Sequence, residues 1–235
     1  MDPYSPLLRL RPGMLLIVRG ILVLALLAGL EDRAWMTLFI AALSLALTFL
    51  PALLRHWHVI DLPLAFEITG ALFILASLFL GELHGWYTRF WWWDLFLHGT
   101  SAIVIGIIGY LFLSVLLQAT RARASPGLVT TFTFSFALAI GTLWEVVEYL
   151  IDLSLGTSMQ KSGLTDTMTD LLIDALGALV AGVAAAIHVR DRQEGWLERL
   201  WRAFHVRNRW MFRPEPPARL APQDTAERPR DDVRR

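Results

Sequence analysis

The sequence predicts an all-α fold, a polytopic membrane helix bundle, on three observations. Hydrophobic residues make up 55% of the 235 and charged ones only 18%. The apolar residues fall in long blocks. Several blocks reach the roughly 20 residues a helix needs to cross a hydrocarbon core about 30 Å thick.

Taken in order, the spans expected are Gly13–Leu30, Ala34–Leu54, Leu62–Leu83, Trp93–Leu117, Leu128–Leu153 and Thr167–His188, about six transmembrane helices. Arg9 and Arg11 precede the first, as they would a signal peptide. Arg19 interrupts its apolar run, however, and no small-x-small cleavage site follows, which favours a retained helix.

Orientation is read from the basic residues. Arg9, Arg11, Arg55, Arg121 and Arg123 flank one side of the spans, and the arginine-rich tail adds to them, whereas Arg33, Arg89 and Lys161 are the basic residues of the other. By the positive-inside rule both termini are expected in the cytoplasm, in a bacterial inner (plasma) membrane. Trp86 and Trp91 to Trp93 then form an aromatic belt at the outer interface.

Three regions follow: a transmembrane helical domain over 1–188, an amphipathic interfacial region over 189–212, and a disordered cytoplasmic tail over 213–235. In the middle region Trp196, Leu197, Leu200, Trp201 and Phe204 share one helical face, which suits a helix lying on the cytoplasmic leaflet. The last region is proline-rich and charged, with too little apolar surface to fold.

A formal net charge of zero carries no signature of nucleic-acid binding. The absence of cysteine excludes disulfides and thiolate metal ligands, so any metal must use oxygen or imidazole.

The chemistry lies in the ionisable residues inside the spans. Asp94 and His98 stand one turn apart on the fourth helix, Glu145 and Glu148 one turn apart on the fifth with Asp152 beyond them, and Asp166, Asp170 and Asp174 recur every fourth residue on the sixth. At 1.5 Å per residue His98, Glu145 and Asp174 fall roughly 7 to 12 Å below the outer boundary, so the three stripes can meet. Glu82 and His84 could join them at the rim. Glu67 lies near the inner end of the third helix and is expected to pair with Arg19 of the first.

Carboxylates crowded in low dielectric cannot all stay ionised without a cation or protons. The nearby spans contain no lysine or arginine to supply one. A divalent metal fits, and carboxylates with one imidazole at helical spacing suit Mg²⁺, Mn²⁺, Fe²⁺ or Zn²⁺. The expected metal ligands are Glu145, Glu148, Asp170, Asp174 and His98, with His98 as a ligand or general base and Asp94 orienting it. Plainer readings stand beside these. Asp94 suits a helix N-terminus, Asp166 a cap, Asp152 the headgroup region, and the small residues of "GALVAG" helix packing.

The stretches "WWWDLFLHGTSA", "GTLWEVVEYLID" and "DTMTDLLIDALGAL" together resemble the uncharacterised bacterial inner-membrane proteins typified by YjdF, over roughly Leu62 to His188. More distantly their order is similar to VanZ-like membrane proteins, some of which are linked to glycopeptide-antibiotic resistance. This chain departs from those in having Glu-x-x-Glu in place of a glutamate and glutamine, and no arginine before Asp170. The closer resemblance implies a membrane location and a polar site, and no particular activity.

The function expected first is a metal-dependent hydrolase or transferase acting on a membrane lipid or lipid-linked amphiphile at the outer leaflet. A proton- or cation-coupled transporter would use the same acids as a relay, and a structural scaffold would use them only to fix helix packing. Gly106, Gly109 and Gly141 could loosen two helices for transport, but no internal repeat or broken helix supports it.

Overall fold

A computed structural model describes residues 12–120, 124–191 and 195–212. The proline-rich tail expected to be disordered lies outside the described residues, as do Arg121 and Arg123. Among the described residues there are helices and no strands: α1 (Pro12–Glu31), α2 (Trp35–Leu47), α3 (Leu50–His56), α4 (Leu64–Ile74), α5 (Trp86–Arg89), α6 (Trp93–Thr120), α7 (Pro126–Leu155), α8 (Leu164–Asp191) and α9 (Trp196–Arg207). A π-helical stretch, Leu75–Leu83, continues α4, and a 3₁₀ turn, Arg209–Phe212, follows α9. Six segments are long and apolar enough to cross a membrane: Gly13–Glu31, Thr37–His56, Leu64–Leu83, Trp93–Gln118, Pro126–Ser154 and Leu164–Asp191. The chain is an all-α polytopic bundle.

No broken helix was expected, but the second span is broken at Thr48, and the cause is local. Pro51 has no N–H to donate to the preceding turn, so α2 stops and α3 restarts with Pro51 in its first turn. Arg19 of α1 reaches the break, donating from Nη2 to the Thr48 carbonyl at 2.8 Å and from Nε to its hydroxyl at 3.1 Å. Its guanidinium also lies 3.9 Å from the centre of the Phe49 ring. The expected Arg19–Glu67 pair is therefore absent. Glu67 instead accepts from Arg55 Nη1 at 3.0 Å. Matching depth had selected Arg19, but the proline break offers that arginine a nearer acceptor.

The tightest packing is among α6, α7 and α8, and small residues make it possible. The buried face of α8 runs Asp170, Asp174, Gly177, Ala178, Ala181, Gly182, Ala185, one stripe at the helical period. A Cβ on Gly177 would stand 2.7 Å from the Gly99 carbonyl oxygen of α6, and one on Gly106 would stand 2.5 Å from Ala181 Cβ. The helices thus meet backbone to backbone, the small-residue mode by which membrane helices associate. "GALVAG" belongs to this seam.

The N-terminal spans form a second group. Leu15, Val18 and Leu22 of α1 bury against Ala71 of α4. Between this group and α6 lies an apolar cavity of about 290 Å³, whose lining includes Pro51, Phe66, Ile74, Val104 and Ile108.

At the end of the bundle away from the acids, α9 is docked on protein. Leu197, Phe204 and Phe212 share a core with Ile107, Tyr110, Val129 and Ala185, while Trp196 of the same helix remains exposed. The amphipathic face was expected to lie on lipid. Much of it covers the bundle end instead, because Asn208 caps α9 at the Phe204 carbonyl and clamps both backbone groups of Asp61 at 2.8 Å.

Candidate metal centre

The site forms where α6 and α8 begin and α7 ends. Each helix brings its acids in on the face that the small-residue seam turns inward. On α8 the usual pattern is inverted: Asp170 is 2% exposed and Asp174 1%, whereas Leu172 between them is 67% exposed. Ionisable residues within a membrane span face the bundle interior, and that is where these two lie.

His98 stands at the centre, buried. Its Nδ1 lies 3.4 Å from both carboxylate oxygens of Asp174. Its Nε2 lies 3.8 Å from Asp94 Oδ1 and 3.8 Å from Glu145 Oε1. One imidazole therefore bridges all three helices. Asp174 reaches it because Gly141 of α7 has no side chain; an added Cβ there would stand 2.2 Å from Asp174 Oδ2.

Among the described residues, two groups of three have ligand atoms mutually within 4.8 Å: His98, Glu145 and Asp170, all buried, and Asp94, Asp166 and Asp170. Asp170 belongs to both. Glu145 is the sharpest anomaly, being 4% exposed with neither carboxylate oxygen hydrogen-bonded among the described residues. Thr167 lies beside it, but no contact there meets hydrogen-bond geometry. An unpartnered carboxylate in a protein interior is costly, so this residue calls for a positive partner.

Of the residues expected at the site, Asp94, His98, Glu145, Asp170 and Asp174 come together. Glu148 stands one turn from Glu145, half-buried, and accepts from Trp144 Nε1 of its own helix at 2.8 Å; it belongs to neither group of three. His84 is tied to the Phe79 carbonyl at 2.8 Å and packs at a tilt against the Phe79 ring. Within the tryptophan belt Trp91 is exposed, but Trp93 turns inward and is buried against Trp86. Asp152 organises the α7–α8 loop by accepting from Thr157 Oγ1 and from the Met159 and Gln160 N–H groups.

Sequence reasoning missed a cation at the site. Lys161, from that same loop, places its ammonium 2.5 Å from Asp94 Oδ2 and 4.4 Å from the centre of the Tyr87 ring. Its backbone N–H donates to Asp166 Oδ2 at 3.1 Å. The spans themselves offer no such charge; a loop folded over them does. Tyr87 packs on Gly81, where a Cβ would stand 2.4 Å from the ring. Burial, with the Asp94 charge adding to it, pushes the Tyr87 phenol above its ordinary range and keeps it neutral. The signal available in advance was that Lys161 is the chain's single lysine and lies five residues before Asp166, between two acid-bearing helices.

Comparison with known proteins gives a family and no activity. An uncharacterized protein of Thermotoga maritima is similar, 33% identical over 111 residues, which is 45% of this chain and 56% of that protein. The match thus spans little more than half of the relative's length. No solved structure matches. The family described as predicted membrane protein DUF2238 matches residues 14–191, which takes in every membrane span and the whole acidic cluster, and the chain belongs to that family.

Proposed function

We propose that this integral membrane protein is a metal-dependent hydrolase or transferase that acts on a lipid or lipid-linked group at the outer leaflet of a bacterial inner membrane, with both termini cytoplasmic. The observation that carries the reading is Glu145, buried, without a hydrogen-bond partner among the described residues, and within ligand distance of His98 and Asp170. A divalent cation there would answer the charge that the helices leave open. When bound, it would polarise a phosphoryl or acyl oxygen and lower the pKa of a water.

The chain's own residues divide the remaining work. His98, Glu145 and Asp170 hold the cation. Asp174, against His98 Nδ1, orients the imidazole so that Nε2 serves as the ligand atom, the carboxylate–histidine arrangement common behind metal ligands. Asp174 is thus reassigned from ligand to positioning residue, and Glu148 stands at the margin as a group able to accept a proton. A hydrocarbon-bearing substrate finds support in the apolar cavity on another flank of α6, where Thr100 and Ser101 mark the end nearest His98 along the helix.

The test is elemental analysis of the full chain purified without chelator, beside Glu145→Gln. Stoichiometric metal in the wild type and its loss in the variant are expected. A wild-type protein that is metal-free as purified, and that takes up neither Mn²⁺ nor Zn²⁺ on dialysis, would sink the reading.

A further inference from the structure

We infer that the cluster is built for one resident divalent cation, held at His98, Glu145 and Asp170, and that the Lys161 ammonium serves the adjoining Asp94–Asp166–Asp170 corner in place of a second metal ion. The inference rests on the metal reading above and deepens it by assigning the stoichiometry and the role of a loop residue.

The two corners share Asp170, which is how carboxylate-bridged pairs of ions about 3.5 to 4 Å apart are built. They differ in what already occupies their oxygens. The first contains Glu145, neither of whose oxygens is hydrogen-bonded among the described residues. In the second, Asp94 is met by Lys161 Nζ at 2.5 Å and Asp166 by the Lys161 N–H at 3.1 Å. One residue thus satisfies two of the three acids at that corner, and a second ion would have to break both contacts to gain the same oxygens.

The lysine is held there by its surroundings. The loop carrying it runs between Gly156 at φ 65° and Gly163 at φ 62°, left-handed conformations that glycine adopts without strain. Between them Asp152 fastens Thr157, Met159 and Gln160, and Gln160 Nε2 reaches Thr167 Oγ1 on α8 at 2.7 Å. The Tyr87 ring, its centre 4.4 Å from the ammonium, adds a cation–π contact. Every other basic residue of the chain is an arginine. A compact ammonium is the closer substitute for a metal ion, since it is a point charge where guanidinium is a planar fork.

The experiment is Mn²⁺ binding by calorimetry and elemental analysis on the full chain in detergent. Wild type and Lys161→Arg are expected to bind one ion, and Lys161→Gln two, as the corner freed of its ammonium at Asp94 recruits a second. Should Lys161→Gln fail to fold, acetylation of the single lysine on folded wild-type protein removes the same charge and is expected to raise the count from one to two. One ion in wild type, in Lys161→Gln and in the acetylated protein alike would overturn the inference and leave the metal centre standing. Two ions in the wild type would do the same, whereas none in any form would overturn both.

Discussion

Asp174 is wedged between Gly141 and His98: its Oδ2 lies 2.2 Å from where a Cβ on Gly141 would stand, and 3.4 Å from the imidazole Nδ1. The closeness of α7 to α8 therefore sets the position of the carboxylate that meets His98. A glycine with no chemistry of its own is part of the site.

Gly141→Ala is expected to push Asp174 off His98. Overpacking of this kind costs about 1–3 kcal/mol, and loss of the carboxylate behind a histidine ligand lowers metal affinity about 10- to 100-fold. Calorimetry with Mn²⁺ reads the second effect and thermal unfolding the first. Gly20→Ala, where nothing lies within 4 Å of the added Cβ, is the control. In an Asp174→Ala background Gly141→Ala should cost far less, since neighbours in contact are not additive. Equal costs in both backgrounds would show that the pair is not coupled.

Much of this was legible in advance because the bilayer is a severe constraint. A span needs its run of apolar residues and must satisfy its backbone internally, so Leu62–Leu83 was expected where Leu64–Leu83 is found. The i, i+4 spacing of Asp170 and Asp174 told which face they share, and both are buried. What failed has a common cause. Depth along a helix axis does not say which neighbour lies beside it, so Glu67 was matched to Arg19 when Arg55 was nearer. Nor does a loop's composition give its path, so Lys161 could not be placed on Asp94. Glu148 shares a period with Glu145 but not its burial, and Trp144 Nε1, one turn before it, donates to its carboxylate.

Orientation can be tested without background labelling because the chain contains no cysteine. Ser162 lies in the α7–α8 loop beside Lys161, and His56 ends α3; both are exposed. In the proposed orientation, argued from the excess of basic residues on its loops, the His56 side is cytoplasmic. Ser162→Cys should react with a membrane-impermeant maleimide in intact cells, and His56→Cys should react only after lysis. The reverse pattern would move the acidic cluster to the cytoplasmic side and remove the outer-leaflet substrate.

Asn208 provides a test of how the C-terminal helix is held. It is fully buried, and its amide accepts from the Asp61 N–H and donates to the Asp61 and Phe204 carbonyls. Arg207 adds an ion pair to the Asp61 carboxylate at 3.0 Å. Asn208→Ala would take the partner from two part-buried backbone groups of Asp61, at a cost of at most about 1–3 kcal/mol each. The exposed Arg207–Asp61 pair contributes only about 0 to 1 kcal/mol, so Arg207→Gln should change little. Because the clamp joins α9 to the loop before α4 and not to α6–α8, its loss should act locally first. Limited trypsin digestion in detergent is therefore expected to cut after Arg199 faster in Asn208→Ala than in wild type, while Mn²⁺ binding at the far end is unchanged. Equal cutting rates would mean that the apolar contacts of Leu197 and Phe204 hold α9 without the clamp.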